Sequence, residues 1–120
     1  MWVGHVVLES GRLEESAAFM RSIGLRPVFQ GPAVAVFELR GGTHLLILPK
    51  GTSGAAGGSD LPFDLMVDDL HATHRRFTAL GLEPTPIETV PNIDHERFRV
   101  REPSGRLITF FSSHVAGRPV

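Results

Sequence analysis

Residues 5–27, HVVLESGRLEESAAFMRSIGLRP, run in step with residues 62–84, PFDLMVDDLHATHRRFTALGLEP. Each residue of the second stretch lies 57 positions after its counterpart, with no gap. Leu13 thus answers Leu70, and Gly24-Leu25-Arg26-Pro27 answers Gly81-Leu82-Glu83-Pro84. Both copies read as a short strand, a helix and a turn into extended chain. A repeat of this length means one supersecondary unit used twice. Two such units facing each other can enclose a cavity, and function is expected at their junction.

Outward from the repeat, residues 2–8 alternate and are rich in Val, which suits a strand. Residues 13–23 carry apolar side chains at Leu13, Ala17, Met20 and Ile23, the stripe of an amphipathic helix that Gly24 then stops. Strands are expected at 33–39 and 43–48, joined by Gly41-Gly42 as a two-residue hairpin loop. The first unit is therefore β-α-β-β-β over about residues 1–49. Residues 50–60, KGTSGAAGGSD, are a Gly/Ser-rich linker, without the spacing of a phosphate-binding loop. The second unit, about 61–114, opens with a strand at 62–67. Asp68 or Asp69 caps a helix with Leu70, Phe77 and Leu80 turned inward, and strands follow near 85–89, 97–101 and 107–112. Gly42 answers Gly105 at an offset of 63, so the second unit is longer. The extra residues fall around 88–95, ETVPNIDH, a loop that is either a lid or an ordinary surface loop.

Composition narrows the function. A chain of 120 residues is a single domain with a real core. The formal charge of −1 gives no basic surplus for nucleic acid, and no apolar run approaches the ~18–20 residues of a membrane span. The absence of cysteine excludes thiol catalysis and thiolate metal sites and fits a reducing, cytoplasmic setting. The chain also lacks tyrosine, which leaves His, Asp and Glu for proton transfer.

With a two-residue loop at 41–42, Leu39 opposes His44 and Phe37 opposes Leu46. With a loop at 104–105, Val100 opposes Thr109 and Phe98 opposes Phe111. The expected inner wall is then Ala35, Phe37, Leu39, Leu46, Leu48, Met66, Phe98, Val100 and Phe111. Arg97, Arg99 and Arg101 fall on the other, helix-side or rim face and are read as solvated, their stems covering apolar neighbours.

The paired units, with HVVLES, AFMRSIGLRP, GGTHLLILP, FDLMVDDLHATHRRFTALGLEP and REPSGRLITFF, resemble the vicinal oxygen chelate superfamily over residues 3–111. That group includes glyoxalases, extradiol dioxygenases, fosfomycin resistance enzymes and bleomycin resistance proteins. The resemblance implies an α+β fold, two tandem β-α-β-β-β modules forming a half-open barrel. It also implies that metal-dependent members take one His, Glu or Gln ligand from the first and last strand of each module. Only His5 keeps such a position here; Pro62, Leu46 and Thr109 stand at the others. A shifted set of His5, His44 and Asp64 would suit iron, manganese or zinc.

Two readings from different classes follow. The first is a metal-free protein, like the bleomycin resistance members, that binds a small, largely apolar molecule in the cup. Phe37, His44, Leu46, Met66, His95, Phe98, Val100, Thr109 and Phe111 would be its contacts. The second is a lyase or dioxygenase of the same superfamily, using the shifted metal set or a His5–Asp64 acid–base pair. Asp64, flanked by Phe63, Leu65 and Met66, is read as a carboxylate in apolar surroundings that needs a partner. His71 and His74 are read as surface or packing residues, and His114 as part of a polar tail. A homodimer is expected, because each module has open sheet edges.

Overall fold

The computed structural model describes residues 1–52, 60–91 and 93–113. Most of the expected linker, residues 53–59, lies outside the described residues, as do Asn92 and His114. Two compact units divide the chain, the first built from Met1–Gly58 with Glu102–Ser104 and Val120, the second from Ser59–Arg101 and Gly105–Pro119.

The first unit runs β1 (His5–Ser10), α1 (Leu13–Ser22), β2 (Arg26–Gln30), β3 (Ala35–Glu38) and β4 (His44–Pro49). The second runs β5 (Leu65–Val67), α2 (Leu70–Ala79), β6 (Glu88–Val90), β7 (His95–Arg101) and β8 (Leu107–Ser112). Each unit folds as an open four-stranded sheet, ordered β1-β4-β3-β2 and β5-β8-β7-β6. The outer pairs β1/β4 and β5/β8 are parallel and the remaining pairs antiparallel. The class is α+β, with two tandem β-α-β-β-β modules.

The repeat holds down to single hydrogen bonds. Leu25 N–H donates to Met20 O at 3.0 Å, and Leu82 N–H donates to Phe77 O at 3.1 Å. Gly24 and Gly81 sit between these bonds at φ 105° and 79°, the left-handed conformation that lets a helix end this way without a Cβ clash. The N-termini differ. Asp69 caps α2 by accepting from Ala72 N–H at 2.9 Å, whereas α1 starts at Arg12 with no side-chain cap.

Each helix buries one face of its sheet. In the first unit that face carries Leu8, Ala35, Phe37, Leu45 and Ile47, with Ala17 and Met20 from α1. The hydroxyls of Ser10 and Ser16 join β1 to α1 at 2.8 Å within this core. In the second unit Phe77 of α2 meets Phe98 and Phe110 edge-on, at centroid distances of 5.8 and 5.2 Å, while those two rings stack on each other at 5.3 Å. Leu80, expected inward, is 47% exposed because α2 ends at Ala79 and the chain turns away there.

The hairpin registers differ from those expected. Between β3 and β4 the last pair is Glu38↔His44, and Leu39 N–H donates to Thr43 O at 2.7 Å, so Arg40, Gly41 and Gly42 form a three-residue turn. Phe37 therefore opposes Leu45, not Leu46. Between β7 and β8 the last pair is Arg101↔Leu107, Phe98 opposes Phe110 and Arg99 opposes Thr109. The Glu102 carboxylate, accepting from the N–H and hydroxyl of Ser104, holds this second turn. A one-residue slip moves every side chain to the other face. The stretch 88–95, expected as a loop, is partly a hairpin as well, since Glu88–Val90 pairs with His95–Arg97.

Removing the ring at the centre of the second core should be costly. Phe77→Ala is expected to lower the unfolding free energy by about 3–5 kcal/mol, read by urea titration. A loss below about 1 kcal/mol would show that this aromatic cluster does not hold α2.

Candidate functional site

With one face of each sheet spent on its helix, chemistry must be sought on the other. Alternation along the strands fixes its membership. In the first unit it comprises His5, Val7 and Glu9 of β1, Val36 and Glu38 of β3, and His44, Leu46 and Leu48 of β4. In the second it comprises Met66 of β5, His95, Arg97, Arg99 and Arg101 of β7, and Leu107, Thr109 and Phe111 of β8.

Four of the expected wall residues are therefore core. Ala35, Phe37, Phe98 and Val100 are buried to 1% exposure or less on the helix faces. Leu46, Leu48, Met66, Thr109 and Phe111 do lie on the faces away from the helices. The three arginines also change sides. Arg97, Arg99 and Arg101 share the face of Thr109 and Phe111, opposite α2.

His5 and His44 are direct neighbours in the parallel β1/β4 pair, their rings 5.9 Å apart. His5 is exposed and His44 half-buried. Glu9, two pairs further along the same face, is 8% exposed. Reading His5, Val7 and Glu9 as one alternating row would have found this carboxylate. Asp64 belongs to the second unit and is exposed, so the desolvation expected of it does not arise. Among the described residues no group of three or more His, Cys, Asp or Glu side chains could hold a metal ion. Leu46, Pro62 and Thr109 supply neither imidazole nor carboxylate at the positions the metal-dependent resemblance requires, so these residues do not fit a four-ligand chelate.

The remaining histidines among the described residues are accounted for locally. His71 Nε2 lies 3.2 Å from Glu96 Oε1, and His74 Nε2 lies 2.9 Å from Thr85 O with its ring edge-on to Phe98. His95, half-buried at the start of β7, sets its ring against Phe111 at 5.5 Å.

A hollow of about 290 Å³ opens on the second unit. Asp60, Leu61, Pro62, Phe63 and Asp64, the segment leading into β5, form one wall; Thr109 and Phe111 of β8 and Arg97 of β7 form the rest. Leu61 is fixed there by its N–H donating to Leu107 O at 3.0 Å. Arg97 Nε donates to Glu88 Oε1 at 2.7 Å, which ties that guanidinium to β6. The hollow thus offers two phenyl rings and two aliphatic side chains beside a hydroxyl, two carboxylates and one paired guanidinium. No helix among the described residues is long and apolar enough to cross a membrane.

Solved structures share this architecture. A lactoylglutathione lyase from Agrobacterium tumefaciens is similar at 22% identity and a TM-score of 0.77, over 97% of this chain and 96% of that one. A bleomycin resistance determinant encoded on the transposon Tn5 is similar at 18% identity and a TM-score of 0.73, over 95% and 99%. A glyoxalase/bleomycin resistance protein/dioxygenase from Alicyclobacillus acidocaldarius is similar at 15% identity and a TM-score of 0.70, over 94% and 92%. At these identities the likeness carries the fold. No curated protein sequence matches. The sequence pattern of the glyoxalase/bleomycin resistance protein/dioxygenase superfamily matches residues 2–110, nearly the whole chain, and the protein belongs to that family.

Proposed function

We propose that this chain binds a small, largely apolar molecule, without the customary metal chelate, and that the hollow of the second unit receives it. The observation that carries the reading is the lining itself: Leu61, Pro62, Phe63 and Phe111 supply the apolar surface, and Thr109, Asp60, Asp64 and Arg97 the few polar groups that orient a ligand. Its volume, about 290 Å³, suits a flat molecule of one or two rings. Phe111 lines the hollow and is half-buried against the His95 ring, and so offers a face for stacking.

Titration with 2-naphthol, a neutral two-ring probe with one hydroxyl, followed by amide NMR, tests this. Shifts are expected at residues 60–64, 97 and 109–111, with affinity falling about tenfold in Phe111→Ala. No response at millimolar probe, or shifts confined elsewhere, would overturn the assignment.

The second reading, a lyase or dioxygenase working through a divalent ion, rests on the adjacency of His5 and His44. Our reading expects protein purified without chelator to carry far less than one equivalent of iron, manganese or zinc. One equivalent, lost in His5→Ala, would establish the enzyme instead.

We also propose that two copies pair. The edge strand β2 has all five residues exposed, Val28 at 51% and Phe29 at 56% among them, beside unpaired backbone groups. Sedimentation should give a dimer at micromolar concentration and a monomer for Phe29→Glu; a wild-type monomer there would refute the pairing.

A further inference from the structure

The three arginines on the free face of the second sheet are not equivalent. Arg97 is paired with Glu88, and Arg101 Nη1 donates to Gly105 O at 2.6 Å. Arg99, between them, has a buried Nε with no hydrogen-bond partner. A buried donor left unmade costs about 1–3 kcal/mol, and native structures rarely keep one without a reason. Its backbone is fully engaged: Thr85 N–H donates to Arg99 O at 2.9 Å, and Arg99 N–H donates to Thr85 Oγ1 at 2.8 Å. The strand position is thus fixed while the charged end of the side chain is uncommitted.

Directly across the β7/β8 ladder stands Thr109, which lines the hollow. Opposed residues on one face of an antiparallel pair bring their Cβ atoms within about 5.5 Å. Arg99 and Thr109, both carrying donors, therefore leave the sheet as neighbours on the face that carries Phe111, with Thr109 in the lining of the hollow and Arg99 beside it in the ladder. The carboxylates in the lining, Asp60 and Asp64, are both exposed and both on the segment that leads into β5. Glu88 is occupied by Arg97. The field across the hollow is consequently polarised, negative along the entering segment and positive toward β7.

We propose that Arg99 and Thr109 form an oxyanion subsite, and that the ligand of the hollow is an aromatic or apolar molecule bearing a carboxylate or phosphate. This inference rests on the binding reading above and specifies its ligand class. The planar guanidinium pairs with either group through two parallel N–H donors, one of them the orphaned Nε. The Thr109 hydroxyl donates a third bond, and Asp60 and Asp64 repel the anion from the opposite wall and so set its direction. Arg99 acts as a binding residue and takes part in no bond making.

The test uses three probes on one scaffold: 2-naphthol, 2-naphthoate and 2-naphthyl phosphate. At low salt the two anions should bind at least about tenfold more tightly than the neutral parent, and the Arg99 Nε–H resonance should move with the anions only. Arg99→Gln should remove the advantage, bringing the anions down to the affinity of 2-naphthol. Arg101→Gln, an identical charge loss on the same face, should retain it. An advantage confined to the phosphate would identify a phosphorylated ligand, and equal advantages a carboxylate-accepting site; both support the subsite. Equal binding of all three probes, or an equal loss in Arg99→Gln and Arg101→Gln, would overturn it with the hollow's role intact. Failure of every probe would instead remove the binding reading itself.

Discussion

One helix can cover only one face of its sheet, and that constraint organises both halves of this protein. Phe77 sits edge-on against Phe98 and Phe110, and this contact decides which residues of β7 and β8 are core. Every second residue along those strands then faces away from α2 by the pleat alone. The same logic runs through the first unit, where Ala17 and Met20 of α1 share the core with Leu45 and Ile47. Nothing in the free faces is needed to hold the helices down. His5, Glu9, Arg97, Arg99 and Thr109 all lie on those free faces.

The contrast between the free faces is chemical. The first unit presents two imidazoles and two carboxylates among Val7, Val36, Leu46 and Leu48. The second presents three guanidiniums with Thr109, Phe111 and Met66. Duplication supplied the same backbone twice, down to the hydrogen bonds that close α1 and α2, and the side chains on it then diverged. Family membership accordingly says much about the scaffold and little about the chemistry. Leu46, Pro62 and Thr109 stand where the metal-dependent resemblance expects ligands.

Much of this was legible in the sequence, for reasons that can be located. The 57-residue repeat marked both helices and both glycine stops, because Gly24 and Gly81 occupy backbone conformations that few other residues tolerate. The facing of the hairpin strands was not legible. Gly41-Gly42 looks like a complete two-residue loop, but Arg40 joins it in a three-residue turn, and Ser104-Gly105 misleads in the same way because Glu102 folds back onto Ser104. That single extra residue put Phe37, Phe98 and Val100 in the cavity list and Arg99 outside it. Asp64 misled for another reason. Its apolar neighbours in sequence point to different sides of the chain, so flanking hydrophobicity did not measure its own exposure.

The alternation that separates core from free face has an evolutionary corollary. On β7 Phe98 and Val100 belong to the core while the odd positions from Arg97 lie on the free face, the two sets interleaved along one strand. Point substitutions at 97, 99 or 101 can change the charge of that face while the hydrophobic interior stays untouched. Gain or loss of one residue in the turn before β8 has the opposite character, because it would turn arginines inward and phenylalanines outward together. Such a lineage should change the chemistry of its free face through exchanges and hardly ever through insertions.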